Sequence, residues 1–185
     1  MPKVSALPQD NAPTVTDFVP VLDTETGILK RVLIADMASV QVPNMALSNN
    51  PYKFSVYRNA AANSPAGGSA VIQMDAGLYD TSNNVDTATN KGRFTVPVAG
   101  FYHFTVRASV SGNVRIFVSI YKNGSEVKRG VDFTGSSGVS GSIVSGTVQL
   151  AASDYVEPYV YTSGSNAYET GSPRVFFDGE LLSKT

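Results

Sequence analysis

The sequence predicts an all-β chain, an antiparallel jelly-roll sandwich of about eight to ten short strands behind an extended N-terminal arm and a β-hairpin. Three observations predict it. From Tyr52 onward, short runs alternate apolar and polar residues and are bounded by Gly, Asn and Ser clusters at sandwich spacing. Asn123-Gly124 falls between two such runs and is the strongest short hairpin signal in the chain, because both residues tolerate positive φ. The composition, with Gly 16, Pro 10, Tyr 9 and Phe 9, favours strands and tight turns over helices.

The 185 residues suffice for one well-filled core plus an appendage. Fourteen basic residues face 15 acidic ones, so no basic field exists to hold a nucleic-acid backbone. Cysteine is absent, which removes disulfides and thiolate metal sites and fits assembly in a reducing cytoplasm. No apolar stretch has signal-peptide or membrane-spanning character, so the chain is expected to be soluble, with no membrane partner.

Two parts are expected, residues 1–50 and residues 51–185. Val4 to Thr16 reads as a proline-punctuated extended arm. Asp17 to Leu22 and Ile28 to Ile34 read as two strands around the turn Asp23 to Gly27. A lone hairpin in water is marginal. Leu7, Phe18, Val21, Leu22, Ile28, Val32 and Ile34 are too apolar for a free tail, and they are the candidate attachment residues. Ala35 to Leu47 suits a short helical turn, and Ser48-Asn49-Asn50-Pro51 marks the boundary.

In the second part, Tyr52 to Arg58 alternates as a half-buried strand, Ala70 to Met74 is a short strand, and Asp80 to Asn90 is a polar connection. The centre is Gly92 to Thr105, read as strand, tight turn, strand. Pro97 cannot donate to a ladder, and Gly100 is expected to supply a turn conformation most residues avoid. Tyr102, Phe104 and Val106 share one face. Asn113 to Lys122 puts Val114, Ile116, Val118 and Ile120 on one face, opposite Arg115, Phe117, Ser119 and Tyr121, and Ser125 to Gly130 is its hairpin partner. Gly135 to Gly146 is glycine- and serine-rich, but Ile143-Val144 and Thr147 to Leu150 make its second half a strand. Tyr155 to Tyr161 and Arg174 to Leu182 complete the set.

Two resemblances follow from particular residues. Ser5-Ala6-Leu7-Pro8, Thr14, Asp17, Val19-Pro20-Val21, Gly27, Lys30, Val32 and Asp36 together resemble a short attachment module in front of distal domains of tailed-bacteriophage virion proteins. Gly92-Arg93-Phe94, Val96-Pro97, Gly100, Tyr102, Phe104, Val118, Ile120 and Lys122-Asn123-Gly124 carry the second. It continues through Ser145-Gly146, Val148, Leu150, Asp154, Val156, Phe177, Gly179 and Leu181. From Tyr52 to Leu182 this order is similar to the globular head of complement and its tumour-necrosis-factor-like (TNF-like) relatives. Ser153 stands where that family usually has glycine. The resemblance implies a homotrimer, and strands with apolar residues on both faces support it independently, since a monomer would expose one face. Phe101, His103, Phe117 and Tyr121 are the candidate trimer-interface residues.

His103 is the only histidine. It sits mid-strand without acidic neighbours in sequence, so a packed or interface role is preferred over a metal site across a trimer axis. No nucleophile elbow, phosphate-binding glycine motif or Cys/His cluster is present, and an enzyme is not expected. No cofactor or metal is expected either. Asp75, Asp80 and Asp86 lack the alternating spacing of a calcium loop and read as loop acids. Tyr159, Tyr161, Tyr168 and Asn166, among Ser163, Gly164 and Ser165, form the candidate receptor contact, weighed against edge packing or a subunit interface.

The function expected from these readings is a trimeric bacteriophage virion protein at the particle surface, assembled in the host cytoplasm. Its arm would bind a capsid or tail protein, and the knob would decorate or cement the capsid as a head fibre. Residues 35–51 allow no long shaft, spanning only about 50–60 Å even when extended. The alternative is the receptor-recognising knob of a short tail fibre or needle tip, reading a host-surface glycan.

Overall fold

A computed structural model describes residues 18–22, 29–33, 50–136 and 138–185, the first two segments by backbone alone. The chain divides into two units, Met1–Met45 and Ala46–Thr185. In the first, β1 (Phe18–Leu22) and β2 (Leu29–Leu33) pair antiparallel, with Phe18 opposite Leu33 and Leu22 opposite Leu29. The expected hairpin is therefore formed. The extended arm and the helical turn over Ala35 to Leu47 lie outside the described residues.

The second unit is a sandwich of two antiparallel sheets. Its strands are β3 (Lys53–Tyr57), β4 (Gly68–Val71), β5 (Ala76–Asp80), β6 (Val85–Asp86), β7 (Arg93–Thr95) and β8 (Gly100–Ser111). They continue with β9 (Arg115–Lys122), β10 (Ser125–Arg129), β11 (Phe133–Thr134), β12 (Val139–Leu150), β13 (Tyr155–Thr162) and β14 (Phe176–Lys184). One sheet has the order β12-β8-β14-β3-β5. The other runs β10-β9-β13-β7-β6, with β11 also on β9 and β4 also on β13. The described strands exceed the expected eight to ten because β6 and β11 are two-residue fragments and β5 lies where no strand was expected.

Alternation places the core as expected. Tyr102, Phe104 and Val106 of β8 are buried, facing Ile116, Val118 and Ile120 of β9. Between the sheets Phe54, Phe94, Tyr102, Phe104 and Phe177 form one aromatic cluster, with Phe54–Phe94 and Phe54–Phe177 centroids both 4.9 Å apart. Gly179 makes room for it, since a Cβ there would lie 2.5 Å from the Phe54 ring.

The central stretch is strand, turn, strand as expected, and its two strands, β7 and β8, belong to different sheets, so the turn between them crosses the sandwich. The buried Tyr102 hydroxyl donates to Val98 O at 2.7 Å, pinning that crossing from inside. Gly100 is required for a different reason than expected. Its φ is ordinary, but a Cβ would stand 2.5 Å from Ser183 O on β14. The first short strand also shifts, to Gly68–Val71, while Ile72 and Met74 beyond it stay buried.

The β9–β10 hairpin forms as expected, with Asn123 and Gly124 at φ 49° and 80°. Asn123 Nδ2 donates to Asp154 Oδ1 at 2.7 Å and its Oδ1 accepts Tyr155 N at 2.9 Å, tying the turn to the start of β13. The glycine- and serine-rich segment is strand through most of its length. Ser142 Oγ accepts Val118 N at 3.3 Å and donates to Val131 O at 2.6 Å, while Ser140 Oγ accepts Val114 N and donates to Gly112 O. These inward hydroxyls join the β12 edge of one sheet to the β9–β11 edge of the other. Gly130 and Gly135 permit the approach, because a Cβ on either would overlap Ile143 O or Ser140 Oγ.

Candidate functional site

Two outward faces remain once the core is filled, and the candidate trimer-interface residues divide between them. On the five-stranded sheet, period two sends Phe101, His103 and Thr105 of β8 outward. Register sets Asp178 of β14 between Thr105 of β8 and Ser55 of β3, with Tyr79 of β5 beyond Ser55 and Ser145 of β12 beyond Thr105. The next row is Lys53, Glu180, His103 and Thr147. His103 meets Ser145 Oγ at 2.8 Å through Nε2 and Thr147 Oγ1 at 3.3 Å through Nδ1. Its partners are hydroxyls and not a nucleophile–carboxylate pair.

At the middle of this face is a depression of about 170 Å³ lined by Lys53, Tyr79, His103, Thr105, Asp178 and Glu180, over Phe54 and Gly179. Asp178 Oδ1 is buried there without a hydrogen-bond partner. Burial pushes the Asp178 carboxyl above the usual carboxylate range, against a hydrogen bond from Ser55 that lowers it. Tyr79 is also raised, by burial first and then by Asp178 and Glu180. Sequence reasoning missed Asp178. Its signal was a polar residue at an outward position of the apolar run Val175 to Leu182.

The other face is built on β9 and β13. Phe117 stacks on Tyr161, its register partner, with centroids 4.8 Å apart, and Tyr121 stacks on Tyr159 at 3.8 Å. Arg129 lies over Phe117 and pairs with Glu126, which also accepts Ser119 Oγ at 2.6 Å. Arg115 lies near both rings and binds Asp132, its Nε donating at 2.9 Å. Arg93 covers Tyr155 and donates to the buried Glu157 at 2.9 Å. Each of these three arginines therefore has a carboxylate, and each of the four stacked rings has a ring partner.

The four residues expected at a trimer interface are thus split. Phe101 and His103 lie on the first face, Phe117 and Tyr121 on the second. The premise that the β9 face is exposed and apolar is corrected: Phe117 is only 7 % exposed, covered within its own chain, whereas Phe101 is 39 % exposed. Of the receptor-contact residues, Tyr159 and Tyr161 join Phe117 and Tyr121 in one aromatic patch. Tyr168 does not, because it is buried beneath the Arg58 guanidinium, and burial pushes its hydroxyl up to about 12. Asn166 is tied by its backbone to Ser64. Among the attachment residues, Phe18, Val21, Leu22 and Val32 fall in the β1–β2 hairpin, while Leu7, Ile28 and Ile34 lie outside the described residues.

The loop acids are occupied within the chain. Asp75 accepts Asn59 N and Ala60 N, and Asp80 accepts Ser82 N and Val85 N. Asp86 accepts the amides of Ala88, Thr89 and Asn90, which hold its carboxyl down at about 2. Among the described residues no group of three His, Asp or Glu side chains is placed to hold a metal ion. No described helix is long and apolar enough to cross a membrane.

A family model described as the C1q domain matches residues 53–182. The fold is similar to the globular domain of zebrafish complement 1qA protein, with TM-score 0.56 at 21% identity over 72% of this chain and 99% of that one. It is also similar to Eiger TNF from S. frugiperda, with TM-score 0.57 at 13% identity over 72% and 94% of the two chains. Murine APRIL gives 0.51 at 11% identity over 70% and 98%. No curated protein sequence matches the chain.

Proposed function

The chain belongs to the C1q domain family, and on that premise we propose that it is a non-enzymatic homotrimeric knob carried by its N-terminal hairpin module on a larger particle. The observation that carries the trimer is the distribution of exposed apolar side chains. One set, Tyr79, Leu78, Phe101 and Leu182, belongs to the five-stranded sheet at its outer face and bulges. A second, Val131, Phe133, Val139 and Ile143, borders the β11–β12 edge. Two different patches on one chain suit a head-to-tail contact, which closes into a ring when the rotation per copy permits.

The particle is a bacteriophage virion in this reading, and its support is the residue pattern between Ser5 and Asp36. The short connection over residues 35–51, too short for a long shaft, suits a capsid-decorating or cementing trimer. Sedimentation of the full chain is expected to give a trimer. Removal of residues 1–40 is expected to leave a soluble trimer that no longer binds the particle. A well-folded monomer at working concentration overturns the trimer, and retained particle binding by the truncation overturns the attachment.

A second reading is favoured by the β9–β13 face. Its tyrosines and internally neutralised arginines form a rigid surface with the composition of a recognition patch. This supports a fibre-tip knob that contacts a neutral host glycan through Tyr159 and Tyr161. Copy number separates the two readings: hundreds per particle indicate decoration, a few trimers at one vertex a fibre.

A further inference from the structure

We propose that Asp178 is a proton-binding site that couples assembly of the knob to pH, each chain taking up one proton at this carboxyl as its outer face is covered by another copy. The inference rests on the trimer reading above and names a regulation of that same surface.

The geometry carries it. Asp178 lies at the centre of the face whose neighbours Phe101, Tyr79 and Leu182 are exposed and apolar. Its Oδ1 is already shut away from water in the single chain, with no donor. Every register neighbour along its row, Tyr79, Ser55, Thr105 and Ser145, carries a hydroxyl. Hydroxyls donate or accept as needed, so this row accommodates either the carboxylate or the neutral acid. Among the described residues no cation stands beside Asp178 in that row to hold the charge. A second copy laid over the depression removes the remaining water, and a carboxylate without a counter-charge then favours its neutral form.

The other charged or titratable groups around it are few. Strand β3 presents Lys53 and Tyr57, β5 presents Tyr79, β8 presents His103 and Arg107, β14 presents Glu180, and β12 presents only hydroxyls at this level. Glu180 sits between Lys53 and His103 in register, so its charge has the Lys53 cation beside it, which Asp178 lacks. Arg107 is engaged by Pro173 O. His103 is therefore the competing group on this face.

The sign follows from linkage. The covered state binds protons more tightly than the free chain, so association strengthens as pH falls through the Asp178 value of the covered state toward that of the free chain, which burial already holds above an ordinary aspartate's. Each linked proton changes the association constant by at most about tenfold per pH unit, and three chains contribute three.

The test is sedimentation equilibrium of the full chain at about pH 8 and about pH 5, with thermal melts confirming the fold of each variant. The wild type is expected to associate more tightly at the lower pH, by no more than about tenfold per pH unit for each linked proton. Asp178→Asn, a neutral isostere that keeps the Ser55 contact, is expected to associate tightly at both. His103→Gln is expected to keep the wild-type response. An Asp178→Asn chain with the wild-type pH dependence overturns the proposal, and so does one that associates more weakly at the higher pH, which would mean that a neighbour's donor pairs with the carboxylate. Loss of the response in His103→Gln moves the proton to that ring and overturns it too. A trimer indifferent to pH sinks this inference alone, whereas a monomer at every pH sinks the trimer reading beneath it.

Discussion

Ser153 holds φ at +71°, a conformation that L side chains seldom adopt. It sits in the β12–β13 turn, where its amide donates to Val96 O at 2.8 Å and so fixes the end of β7 just before the crossing turn. The left-handed region costs a non-glycine residue about 1–2 kcal/mol, part of which a glycine gives back through a freer unfolded chain. Ser153→Gly is therefore expected to stabilise the knob by about 0.5–1 kcal/mol, read as a shifted urea midpoint at unchanged slope. The glycine usual at this position in similar domains made it stand out in the sequence. Tyr168 was harder to read. Among Ser, Gly and Asn it resembles an exposed loop tyrosine, and only a bridge to Val110, far away in sequence, draws it into the core. Asp178 was hidden for the same reason, since its isolation among hydroxyls depends on four strands brought together by register.

Strand positions were legible because period-two alternation is local. Pairing was not. β7 and β8 each alternate correctly, yet nothing in alternation says which sheet a strand joins, and a proline-containing turn serves a hairpin or a crossing equally. β5 escaped notice because Ala76-Gly77-Leu78-Tyr79-Asp80 has no β-branched residue and lies at the edge of its sheet. The segment from Gly135 to Gly146 looks like a flexible linker by composition, but its inward serines are structural. Ser142→Ala leaves Val131 O and Val118 N without their hydroxyl partner at a buried edge. A loss of about 1–3 kcal/mol is expected, measured by chemical denaturation, with faster amide exchange at Val118. An unchanged exchange rate there would mean that the sheets are held at this edge by packing alone.

For the molecule as a whole, the two outer faces differ in what they have left to offer. The β9–β13 face is satisfied by its own stacks and ion pairs, while the β8–β14 face is not. Phe101→Asp is accordingly expected to weaken self-association by at least about tenfold, whereas Tyr161→Ala is expected to leave the sedimentation profile unchanged. The reverse pattern would put the assembly surface on the aromatic face. If Tyr161→Ala abolished attachment to host cells and left the trimer intact, the fibre-tip reading would gain over decoration.

The position of β14 has a consequence for synthesis. Residues 176–184 insert between β8 and β3, at the middle of their sheet and not its margin. During translation β3, β5, β8 and β12 emerge as two pairs with a gap between them, and neither pair alone covers the interior of the sandwich. A chain cut short before residue 176 is therefore expected to leave the sheet open and Phe54 and Phe104 exposed, read as rapid cleavage in limited proteolysis. β14 is thus the strand that joins the β3–β5 pair to the β8–β12 pair and completes the sheet.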